Sequence, residues 1–83
     1  MIHFARLAND LLATWRKEKH VVALLDKLAN VTDVDTADVV IREAANEMHT
    51  FAQANRDHKD WPKYCTIMGA MRTLNVRIWS NSE

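Results

Sequence analysis

Apolar residues recur along this chain at intervals of three and four, the spacing that gathers them on one face of an α-helix. In the first stretch Phe4, Ala8, Leu11 and Trp15 form such a stripe, widened by Leu7 and Leu12. A second set follows at Val21, Leu24, Leu25 and Leu28, with Val22 and Ala29 beside it. Between them lies the polar run Arg16-Lys17-Glu18-Lys19-His20, which has no glycine, proline or evident cap. At about 100° per residue, Trp15 and Val22 point almost the same way, which favours one continuous helix over residues 3–29. Glu18 falls near the middle of the joined stripe, so a break around residues 17–20 is the alternative.

Asn30-Val31-Thr32-Asp33-Val34-Asp35 reads as a linker. Asp35 is the expected N-cap of the next helix, because its carboxylate can accept from unpaired first-turn amides. Asp38 adds favourable charge near the positive end of the dipole, and Val34 with Val39 fits a hydrophobic staple. The middle helix is predicted from about Thr36 to Ala54, burying Ala37, Val40, Ile41, Ala44, Met48, Phe51 and Ala52. Asp38 and Arg42 stand in the favourable i,i+4 order on its flank.

Asn55-Arg56-Asp57-His58-Lys59-Asp60 is a second polar connection. Asp60 can cap a last helix that starts with Trp61 and Pro62, where a missing amide proton is harmless. Tyr64, Ile67, Met68, Met71, Leu74 and Ile78 then repeat at helical spacing. Gly69 lies inside this pattern and would admit a close neighbouring helix. Ser80-Asn81-Ser82-Glu83 reads as a frayed tail.

These elements predict a single all-α domain, a small antiparallel helical bundle of three helices, or four if the first is broken. A continuous first helix would be about 40 Å long at 1.5 Å per residue, longer than its two neighbours. Part of its stripe would stay uncovered, which points to self-association as a homodimer or to a partner's groove. One glycine and one proline in 83 residues support the helical reading, since a sheet needs many more turn residues.

Charge refines the picture. Eleven basic residues balance eleven acidic ones, so no broad positive field exists for sequence-independent nucleic-acid binding. Residues 1–31 hold five basic and three acidic groups, 32–60 three and seven, and 61–83 three and one. An acidic middle therefore lies between two mildly basic ends, as neighbouring helices with complementary charge would have. The longest aliphatic run, Val21–Leu25, is far too short to span a membrane. Arg6, Asn9 and Asp10 interrupt any signal-peptide core, so a cytoplasmic protein is expected.

Candidate chemistry is sparse. The four histidines never adopt the HxxxH or HExxH spacing that puts two imidazoles on one helical face. Asp57, His58 and Asp60, with Cys65 the nearest further ligand, read more simply as a solvated loop before a capped helix. Glu43 and Glu47 share a face but lack the E-x-x-H partner of a di-iron site. A single cysteine excludes an internal disulfide, and Cys65 beside Ile67 and Met68 behaves as a small hydrophobe. No phosphate loop, nucleophile elbow or CxxC pair is present, so no enzyme activity, cofactor or metal is expected.

The aromatic residues say more. Trp61 and Trp79 bracket the last helix, and tryptophan, tyrosine and arginine are enriched at binding hot spots. Trp61, Tyr64, Met68, Met71, Arg72 and Trp79 are the expected contact patch, and Glu43 and Glu47 a second, acidic one. The expected function is a small non-catalytic protein–protein interaction module with a protein partner. An inhibitor or modulator of a larger host complex, encoded by a phage or mobile element, is the finer expectation. The alternatives are a nucleic-acid-associated regulator using the basic ends and a membrane-surface protein using the first amphipathic helix.

Overall fold

The computed structural model describes residues 4–81, and among them the chain is all-helical. Four α-helices follow in order: α1 (Phe4–Leu11), α2 (Lys19–Leu28), α3 (Val34–Ala54) and α4 (Trp61–Asn81). A 3-10 turn, Ala13–Trp15, lies between α1 and α2. Ring contacts set the directions, because Phe51 near the end of α3 meets His20 at the start of α2 and Tyr64 at the start of α4. Both neighbours of α3 are therefore antiparallel to it. The helical bundle takes its four-piece form. Its long axis extends 42 Å.

The continuous helix over residues 3–29 is not formed. Leu12 leaves the helical region at φ −107° and ψ 16°, and Glu18 is extended at φ −74° and ψ 134°. The break gives each apolar stripe its own rotation. Phe4, Ala8 and Leu12 are buried from one piece, and Val21, Leu24 and Leu28 from the other. It also lifts Glu18 out of the apolar stripe and lets its carboxylate meet Lys63 Nζ of α4 at 2.6 Å. A straight helix would have held a charge where the core needs a hydrophobe.

Helix α3 starts two residues before the sequence suggested. Asp33, not Asp35, is the N-cap, and its carboxylate accepts from the Thr36 amide and hydroxyl, both at 2.8 Å. Asp35 stands in the first turn, where its charge complements the dipole. The earlier start moves Val39 off the staple position and leaves it 53% exposed. Helix α4 does begin at Trp61, with the Asp60 carbonyl accepting from the Tyr64 amide at 3.1 Å. Ser80 and Asn81 lie in this helix rather than in a frayed tail. Ser82 and Glu83 fall outside the described residues.

One core joins all four helices, with Ile41 and Met48 of α3 meeting Ile67, Met71, Leu74 and Ile78 of α4. Ala45 is buried where the sequence pattern suggested Ala44, which is half-buried.

Gly69 is exposed, and a Cβ built there meets nothing within 4 Å, so no close helix approach depends on it. The Gly69→Ala variant is accordingly expected to be more stable by about 1 kcal/mol, through helix propensity alone. Thermal unfolding checks this, and an unchanged or lower midpoint would reveal a packing role for the missing side chain.

Candidate functional site

Helices α1 and α2 lie over one side of the α3–α4 hairpin, α1 on α4 and α2 on α3. Elsewhere the seam between α3 and α4 forms an open groove of about 430 Å³. Its floor is Ile41, Ala45 and Met71, which are buried. Its walls are Arg42 and Asn46 from α3, and Arg72, Asn75 and Val76 from α4. Among the described residues Val76 is the most exposed of the large hydrophobics, at 64%.

Asp38 organises one end of the groove. One carboxylate oxygen accepts from Asn75 Nδ2 at 2.6 Å and from Trp79 Nε1 at 2.9 Å. The other oxygen pairs with Arg42 Nε at 2.9 Å. Trp79 donating to Asp38, then Asn75, then the Arg42 charge, hold this carboxyl below the ordinary aspartate range. The Arg42 side chain is largely exposed outside this pair, at 69%. Arg72 has no carboxylate partner among the described residues.

A second, smaller cavity of about 300 Å³ opens at the helix break, lined by residues that include Glu18, His20, Phe51 and Tyr64. His20 packs on Phe51 with ring centroids 4.7 Å apart. Burial first, and then the Lys19 charge, lower the His20 pKa from the ordinary histidine range. No cluster of three metal-ligating side chains occurs among the described residues. His58 Nδ1 instead accepts from the Asp60 amide at 3.0 Å.

The residues singled out from the sequence divide in the structure. Trp61, Met68, Arg72 and Trp79 follow one another at spacings of seven, four and seven, and so share one stripe of α4. Trp61 and Trp79 nevertheless stand about 27 Å apart along the helix, too far for one compact patch. Tyr64 is half-buried and packs edge-on against Phe51 at 4.8 Å. Met71 is fully buried and serves as groove floor rather than as an exposed contact. Glu43 and Glu47 are exposed but do not line the groove. Glu47 lies close enough to His20 of α2 to act on its charge. Cys65 is half-buried and free.

Sequence reasoning missed Asn75 and Ala45. Asn75 is 37 residues from the aspartate it serves, and no local pattern marks such a pair. Ala45 adjoins the Ala44 that the stripe suggested, and periodicity alone separates neighbours poorly. No known protein family, curated protein or solved structure matches the chain.

Proposed function

We propose that this chain is a small non-catalytic protein–protein interaction module and that the outer α3–α4 groove is its docking surface. The observation that supports this reading is the groove itself, an open channel with an apolar floor between the two longest helices. Grooves of this form receive an amphipathic helix, whose apolar anchors replace water on the floor. A module of this kind acts by occupying a surface on a larger protein or complex. The α1 stripe offers a weaker basis for a membrane-surface role, since Phe4 and Ala8 are buried in the core. No helix among the described residues is long and apolar enough to cross a membrane.

Photo-crosslinking tests the reading directly. A benzophenone side chain at position 76 is expected to trap a protein in cells, whereas one at exposed position 27 on α2 traps none. Equal trapping at both positions, or none at either, would remove the groove from consideration. An adduct that disappears on nuclease treatment would favour the nucleic-acid alternative.

A further inference from the structure

Resting on that docking reading, we infer that the groove's occupant is an acidic amphipathic helix of a partner protein, with carboxylates flanking its apolar seam. Charge complementarity selects this occupant. Arg42 and Arg72 rise from opposite walls of the same groove, one on α3 and one on α4. Only Asp38 offsets them, and it is already shared among Asn75, Trp79 and Arg42 Nε. The groove therefore carries a positive charge that the described residues do not neutralise.

An apolar floor between two guanidinium walls matches a helix with small or aliphatic residues along one seam and a glutamate on each side. The terminal nitrogens of Arg42 can take one carboxylate as a fork, and Arg72 can take the other. Asn46 and Asn75 add uncharged polar atoms to the walls, suited to the polar rim of such an interface. A basic helix would meet the like charge that Asp38 leaves unoffset in the groove, which is a penalty once the floor is desolvated.

A second copy of this chain is disfavoured by the same arithmetic. A two-fold axis through the groove would set the arginine pair of one copy against that of the other. The chain's own acidic residues Glu43 and Glu47 lie outside the groove lining and would not relieve this.

The test uses two stapled peptide helices with the same leucine and alanine seam, one flanked by glutamates and the other by lysines. Each is titrated into the isotopically labelled full chain and followed by amide NMR shifts. The glutamate peptide is expected to shift groove residues around Ala45, Arg72 and Val76, and the lysine peptide to shift none. Arg72→Glu should weaken the glutamate peptide about tenfold and admit the lysine peptide, a charge swap that a mere loss of folding cannot produce. Binding of the glutamate peptide should also weaken as salt rises. Equal binding of both peptides, binding of neither, or shifts confined to α1 and α2 would overturn the acidic-helix inference. If position 76 still traps a protein in any of those cases, the docking reading stands and only the partner's chemistry is wrong. If position 76 traps nothing, both fall together.

Discussion

Leu12→Ala is expected to lower the free energy of unfolding by about 3 kcal/mol, and Leu11→Ala by about 1 kcal/mol. Leu12 is fully buried, whereas the adjacent Leu11 is only half-buried. The difference comes from the helix break. In a continuous first helix the stripe Phe4, Ala8, Leu11, Trp15 would carry the burial, and the order of the two effects would reverse. With the break, Leu12 ends the α1 stripe and enters the core shared by all four helices. The void left by its truncation cannot close easily. Phe4 and Ala8 hold α1 on one side, and the Glu18–Lys63 pair ties the start of α2 to α4 on the other. A chain of this size has only about 5–10 kcal/mol of stability in total, so the loss should be plain in urea unfolding at constant slope. Equal or reversed costs would mean that the break is not where the core turns.

How far the sequence could be read follows the range of each interaction. The helical segments were legible because their stripes repeat within a turn or two, as at Ile67, Met71, Leu74 and Ile78. The C-terminal end of α3 at Ala54 and the start of α4 at Trp61 were legible too, from a polar run and a proline. The break near Glu18 was legible only as the alternative to a continuous helix, from a charge in the middle of the joined stripe. No local stop signal decides between the two, and Lys63, the group that Glu18 meets, is distant in sequence. The choice between Asp33 and Asp35 as cap was hidden for a related reason. Both can cap, and the earlier start half-buries Val34 against the core. Residue type alone singled out Arg72, while the groove it walls required α3 to lie beside α4. Asp38 was legible as an ion-pair partner of Arg42 but not as the acceptor for Asn75 and Trp79.

That triple role makes Asp38 the polar residue whose loss should cost most, about 2 kcal/mol for Asp38→Ala. Its effect reaches between helices, unlike the i,i+4 pair with Arg42, which alone would contribute a few tenths of a kcal/mol. Arg42 is 69% exposed and can return to water when Asp38 is removed. Asn75 cannot do so as freely, because it is half-buried and would keep an unanswered amide donor. Trp79 would lose the hydrogen bond from its indole nitrogen to the carboxylate. A double-mutant cycle separates these contributions. Asp38→Ala combined with Asn75→Ala should cost less than the sum of the two single changes, whereas Asp38→Ala with Lys27→Ala should be additive. The same carboxylate sets a pH dependence. Its pKa in the folded chain lies below the unfolded value, so its stabilisation is complete above about pH 4 and is lost as pH falls through the lowered pKa. Asp33, lowered mainly by the Thr36 amide, acts in the same direction. Asp38→Asn should therefore flatten the acid limb of the stability profile without abolishing it. The variant keeps one acceptor oxygen for Asn75 or Trp79, and at neutral pH it should lose less than Asp38→Ala. Additivity of Asp38→Ala with Asn75→Ala, together with an unchanged acid limb in Asp38→Asn, would show that the carboxylate does not couple α3 to α4.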